Sequence, residues 1–145
     1  MKTTCSFKTF VASLVFIYSL LVTGYSYAEI SVIVHPSNMV SLSEKNIQRI
    51  FLGRMKKFPG GGEVIPIHLP VENVVADSFN STVLKKSGPQ LLGYWGQYIF
   101  TGKGMPPEQV DSVLAVKNLV KLNPSAIGYI DSKTVDDTVK VIYKF

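Results

Sequence analysis

From Glu29 onward the chain alternates short β-branched runs with amphipathic segments, and this alternation constrains its fold more than any other feature. Glu29 to His35 carries Ile30, Val32, Ile33 and Val34 and reads as a buried strand that Pro36-Ser37-Asn38 ends in a turn. A helix follows. Ser43 is its expected N-cap, Leu42 and Ile47 hold the two staple positions, and Gly53 suits the left-handed residue past its end. Ile47, Ile50 and Phe51 give it one apolar face. Arg54 to Phe58 and Pro59 to Gly62 read as an exposed basic turn, and Val64 to Leu69 as a short strand whose Pro66 and neighbouring Pro70 favour a sheet edge or strand end.

The next helix is expected from about Val74 to Leu84. Ser87 with Gln90 forms a capping box that opens another, with an apolar stripe of Leu91, Tyr94, Trp95, Tyr98 and Ile99. The aromatic group Tyr94, Trp95, Tyr98 and Phe100 has the spacing of core packing rather than of a stacking platform for a sugar or base. Thr101 to Pro107 reads as a loop, and a helix from about Val113 to Leu122 takes Asp111 or Ser112 as cap and stops at Asn123-Pro124. Ala126 to Ile130 and Val139 to Tyr143 are two further strands. Strands separated by helices make an α/β sheet covered by helices.

The first 28 residues stand apart. Lys2 and Lys8 give a basic start, Phe10 to Val22 is apolar, and Ser26-Tyr27-Ala28 offers the small residues of a cleavage site. At about 13 residues the apolar run is short of the ~20 that cross a bilayer as a helix. The expectation is a signal peptide over 1–28, one domain over 29–145, a periplasmic destination and no membrane span after cleavage. Cys5, the only cysteine, leaves with the leader, so no disulfide or thiol chemistry is exported. Lys2 and Lys8 leave too, which takes fifteen basic residues to thirteen against ten acidic and the net charge from +5 to +3. That mild balance suits small anions and does not point to nucleic acid.

Catalytic and metal motifs are missing. His35 and His68, the only histidines, each fall at a strand end with no carboxylate at ligand spacing. No Gly-x-Ser-x-Gly elbow occurs, Gly60-Gly61-Gly62 lacks the Lys-Ser/Thr of a phosphate loop, and Pro107 replaces the third glycine after Gly102-Lys103-Gly104. Asp136-Asp137 looks like a solvated turn. No enzyme, cofactor or metal is expected.

Three segments together resemble a known family: the strand with Pro36-Ser37-Asn38, Leu42-Ser43 with the helix ending Ile50-Phe51-Leu52-Gly53-Arg54, and Pro124-Ser125-Ala126-Ile127-Gly128-Tyr129-Ile130. They are similar to the second lobe of the periplasmic phosphate-binding proteins of ABC importers, over essentially Ile30 to Ile130, and most similar to compact single-lobe secreted members. The resemblance implies one lobe of a type 2 periplasmic-binding-protein fold, with a mixed sheet of about 4–5 strands flanked by helices. It implies a non-catalytic solute-binding role, a small anion such as phosphate as ligand, and an ABC transporter or another periplasmic protein as partner.

In that family an Arg-x-Asp-Gly-Ser-Gly-Thr loop before a helix holds the anion through an arginine fork, hydroxyls and backbone N–H groups. Matched on Phe79, this chain has Leu69-Pro70-Val71-Glu72-Asn73-Val74-Val75. Leu69 stands for the arginine and Val71 for the aspartate, and losing the arginine alone removes a charge-assisted pair worth about 1.5–3 kcal/mol. Asn73 remains as an N-cap or as an anion contact that aims the amides of Val74 and Val75. The residues expected to bind ligand are Ser37, Asn38, Asn73, Val74 and Val75. The second reading is a ligand-free interaction or sensory module that uses the former inter-lobe face, with Leu69, Val71, Val74 and Val75 as its apolar contacts.

Overall fold

The computed structural model describes residues 28–145; the expected leader lies outside the described residues, Ala28 excepted. Five strands, β1 (Ile30–Val34), β2 (Ile65–His68), β3 (Glu108–Gln109), β4 (Ala126–Asp131) and β5 (Lys140–Lys144), form one sheet in the order β3-β2-β4-β1-β5. β2 runs parallel to β3 and β4, while β1 is antiparallel to both β4 and β5. The sheet is mixed, with β1 as its reversed strand, and this direction decides below which loops can share a site.

The helices are α1 (Glu44–Phe51), α2 (Val74–Phe79), α3 (Gly88–Phe100) and α4 (Val113–Leu122). Their starts obey local chemistry. Ser43, Asn73, Ser87 and Ser112 each accept a backbone N–H of the following first turn, and Ser87 with Gln90 completes the capping box. Ser112, not Asp111, caps α4. Leu42 and Ile47 are both buried, as a hydrophobic staple requires. The helix expected to reach Leu84 does so, but it widens to a π-helix over Asn80–Leu84 and ends at Lys85 in the left-handed region (φ 55°).

The sheet is covered on both faces. On one, Gly128 of β4 faces α4 so closely that a Cβ there would run into the Val116 side chain and lie 3.3 Å from Val120. Its neighbour Tyr129 points the other way, as alternation along a strand demands. There it stacks on Phe79 at 3.8 Å and meets Phe51 edge-on at 5.6 Å, which binds α1 and α2 to that face. Among the described residues no helix is long and apolar enough to cross a membrane.

β2 corrects an expectation. Of the edge or strand end that its prolines suggested, the edge is excluded, since it lies inside the sheet between β3 and β4, while Pro66 and Pro70 do fall near its two ends. The Ile65 amide donates to Ser125 on the β4 side, so the position at Pro66 turns to the opposite side, where β3 pairs only with Ile67 and His68. The missing donor therefore falls where no partner strand reaches. β3 itself has two exposed polar residues, and nothing in the sequence suggested it.

α3 also departs from its expected stripe. Leu91 and Trp95 are buried, and Tyr94 and Tyr98 are half-buried, but Ile99 is 45% exposed and Phe100 is 92% exposed. The three inner aromatics dock on the end of α1. The Tyr94 hydroxyl donates to the Leu52 carbonyl at 2.7 Å, and the Tyr98 hydroxyl to that of Gly53 at 3.0 Å. These are carbonyls that a helix end leaves without partners. Gly53 has φ 71° and lies against Trp95, where a Cβ would approach the ring to 3.1 Å.

Candidate functional site

The loop from Leu69 to Asn73 leaves the carboxyl end of β2, beside the carboxyl end of the parallel β4. In open α/β sheets this is the end at which ligands are taken. Pro70 and Asn73 close a turn, with the Asn73 amide donating to the Pro70 carbonyl at 2.9 Å. The Asn73 side chain accepts the Val75 amide at 2.9 Å and its carbonyl accepts that of Asp77, so Asn73 acts as a cap here. Val74 is 75% exposed beside exposed Glu72, and Val75 is half-buried. Val71 packs toward Gly88 at the start of α3.

Leu69 does not belong to an open face. It is 1% exposed, and its amide donates to the Tyr129 hydroxyl at 3.2 Å. The chain uses it as core. The expected apolar contact surface therefore reduces to Val71, Val74 and Val75.

The expected binding residues fall into two groups that do not meet. Ser37 and Asn38 follow β1, whose direction opposes that of β2 and β4, so they lie at the amino ends of the parallel strands. Asn73, Val74 and Val75 lie at the carboxyl ends. The sheet separates the groups, and one ligand cannot touch both. Ser37 and Asn38 are occupied locally. The Ser37 hydroxyl is 2.7 Å from His35 Nδ1, while the Asn38 carboxamide donates to the Pro124 carbonyl and accepts the Val40 amide. They border an open cleft of about 520 Å³ with Gly60, Gly61, Gly62 and Glu63. The same antiparallel relation puts His35 and His68 at opposite ends, so they cannot share a metal.

Beneath the Leu69 loop lies a polar cluster that sequence reasoning missed. His68 is 6% exposed, and its Nδ1 is 2.8 Å from the Leu69 carbonyl and 2.9 Å from the Tyr129 hydroxyl. Asn80 is fully buried where the helix becomes π-type, and its carboxamide is the next polar group beside the imidazole. Neither Asn80 side-chain atom nor His68 Nε2 finds a well-formed hydrogen bond. Burial holds the His68 pKa below its ordinary value against the opposing effect of the Leu69 hydrogen bond and the neighbouring Asn80 carboxamide. Burial likewise pushes the Tyr129 hydroxyl above its usual range. The signals were a tyrosine in an otherwise aliphatic strand and an asparagine next to Phe79 on a buried helix face.

Comparison with known proteins bears on the fold. No family model matches the sequence, and no curated protein matches it. Solved structures do. An ABC-type phosphate transport receptor from Vibrio cholerae superposes over 80% of this chain and 47% of its own, with a TM-score of 0.61 and 19% identity. A phosphate ABC transporter substrate-binding protein from Clostridium perfringens, solved with bound phosphate, superposes over 80% of this chain and 45% of its own, with a TM-score of 0.62 and 22% identity. PstS from Borrelia burgdorferi covers 79% of this chain and 47% of its own, with a TM-score of 0.56 and 15% identity. The chain thus spans about half the length of each. At such identities the likeness is one of architecture: this chain has the fold of one lobe of the phosphate-binding proteins of ABC transporters.

Proposed function

We propose that the chain is a secreted, non-catalytic solute-binding module of the phosphate-transporter type, working in the periplasm after residues 1–28 are removed. The observation that carries the reading is the likeness to phosphate-transport proteins, combined with a loop at the carboxyl ends of β2 and β4. In this reading an anion meets the Asn73-Val74-Val75 turn at the Val74 N–H, those of Asn73 and Val75 being held by the Pro70 carbonyl and the Asn73 side chain, without an arginine and with Glu72 nearby. Ser37 and Asn38 take no part in that contact. One lobe is half a clamp, so capture is weak, and tight binding requires a second protein. Calorimetric titration of the exported chain with phosphate tests this: saturable heat that Asn73→Pro abolishes is expected, and none at millimolar phosphate sinks the reading.

A second reading is favoured by one observation, the exposed Val74 beside a loop that carries no cation and whose Leu69 is buried. Here the loop contacts a periplasmic protein instead of an anion. Val74→Glu then removes that partner from a pull-down while the melting temperature holds, and unchanged recovery assigns the contact elsewhere.

A further inference from the structure

His68 is buried at the carboxyl end of β2, where the loop to α2 begins, and its surroundings offer nothing to balance a charge. Phe51 of α1 and Phe79 of α2 meet the imidazole edge-on at centroid distances of 6.1 and 6.2 Å, and Tyr129 of β4 does so at 5.3 Å. Gln109 of β3 is its partner across the strands, and Asn80 of the π-turn is the polar group beside it. On the α3 side, Leu91 and Trp95 border the same groove as His68. Of all these only Tyr129 titrates, and burial pushes its hydroxyl above the usual range. Glu72, Asp77 and Glu108, the acids of the adjoining elements, are exposed, and no carboxylate acts on the ring.

The hydrogen bonds decide which ring nitrogen is bare. A carbonyl only accepts, so the 2.8 Å approach of the Leu69 carbonyl places the proton of the neutral ring on Nδ1. Nε2 is then the bare nitrogen, buried and without a well-formed hydrogen bond. Acid adds its proton there. The imidazolium has only neutral groups around it, and a buried charge without a partner is strongly unfavourable. It is better accommodated where water reaches it. The way to water lies beside the Leu69–Asn73 loop, because His68, Leu69 and Val71 border one groove of about 280 Å³. Little ties that loop to the sheet. The Leu69 amide donates to the Tyr129 hydroxyl at 3.2 Å, whereas the bond from Asn73 to Pro70 is internal to the loop. Both backbone groups of Leu69 thus belong to the cluster that a proton disturbs. Asn80 stands where the helix widens to π type, a departure that recurs at functional sites.

We propose that His68 is a proton-operated latch for the Leu69–Asn73 loop: neutral, it holds the loop against Tyr129, and protonated, it releases the loop and turns to water in the groove. The loop leads directly into the Asn73 cap of α2, so release loosens the turn that carries the Val74 N–H. That consequence for an anion rests on the proposed function; the latch does not, and its test uses no ligand. The sign follows from linkage. The closed ring binds a proton less tightly than an open one, so the open population is lowest above pH 6.5. Below that it rises by up to about tenfold for each unit of acid, until the closed ring titrates as well.

Amide hydrogen exchange of the ¹⁵N-labelled chain, in buffer free of phosphate, reads the opening residue by residue from about pH 7.5 to about pH 4.5. Rates are corrected for the intrinsic pH dependence of exchange. The Leu69 amide is expected to exchange faster than the amides of the inner strands β1 and β4 at every pH, which separates loop release from global unfolding. It is also expected to quicken by up to about tenfold for each unit below pH 6.5. In His68→Phe, which keeps a ring in the aromatic cluster, the Leu69 rate should no longer depend on pH, with a thermal melt to confirm folding. The wild-type profile decides alone if that variant does not fold. A Leu69 amide that exchanges only as fast as the inner strands, a rate flat with pH, or a slope retained in folded His68→Phe overturns the latch.

Discussion

Replacing Gly128 by alanine tests the packing of α4 on the sheet at one atom. The residue is in a strand with ordinary extended backbone, so alanine costs nothing conformationally and, by restricting the unfolded chain, contributes about 0.4–1 kcal/mol of stability by itself. Against that, the added methyl runs into Val116 and lies 3.3 Å from Val120, both fully buried. Overpacking of this kind costs about 1–3 kcal/mol, because neither valine can turn away without displacing the helix. The expected net loss is about 1–2 kcal/mol, or roughly 3–8 °C in melting temperature for a domain of this size. Val116→Ala removes the opposing methyls, so the two substitutions together should cost less than the sum of each alone by at least about 0.5 kcal/mol. Chemical and thermal denaturation of the four proteins supply the cycle. A Gly128→Ala chain as stable as wild type, or strict additivity with Val116→Ala, refutes the packing.

Acid should weaken the fold through His68. Its pKa is lowered in the folded state, so the unfolded chain takes up the proton first as pH falls; the contribution is whole above the ordinary value of 6.5 and is lost progressively below it. His68→Leu should flatten stability against pH in that window, measured by denaturant midpoints, and an unchanged slope argues against the buried neutral imidazole. Tyr98→Phe should cost about 0.5–1.5 kcal/mol by freeing the Gly53 carbonyl, with Tyr94→Phe similar at Leu52, and melts unchanged in both would deny that the tyrosines cap α1. Ser87→Ala, read by the same melts, should lose about 0.5–2 kcal/mol with the capping box.

Whatever short-range chemistry dictates was legible in the chain. Ser43, Ser87 and Ser112 announce helix starts because their side chains reach only the next turn, and Gly53 announces a stop because a left-handed residue follows α1. The site was less legible because it depends on strand direction. Pro36-Ser37-Asn38 and Leu69 to Val75 both follow strands, and nothing local shows that β1 runs against β2 and so carries its loop to the far end. β3 escaped notice because two exposed polar residues have no periodicity, and their pairing comes entirely from β2. Phe100 and Ile99 continue the apolar pattern of α3, yet α1 ends at Phe51 and its cap turn at Gly53 packs only on Trp95 and Tyr98. The π-turn at Asn80 and its contact with His68 are tertiary choices that helical spacing does not encode.

In the proposed function this lobe meets an anion at the carboxyl ends of its parallel strands, with Ser37 and Asn38 elsewhere. Titrating the ¹⁵N-labelled chain with phosphate reads each backbone amide separately. Saturable shifts are expected at Val74, Val75 and Ala76, with Kd on the order of 1 mM or weaker because the Leu69–Val75 loop carries no cation, and none at Ser37 or Asn38. Amides at Val74–Ala76 that stay still while the rest of the spectrum is folded would contradict it, as would shifts centred on Ser37 and Asn38.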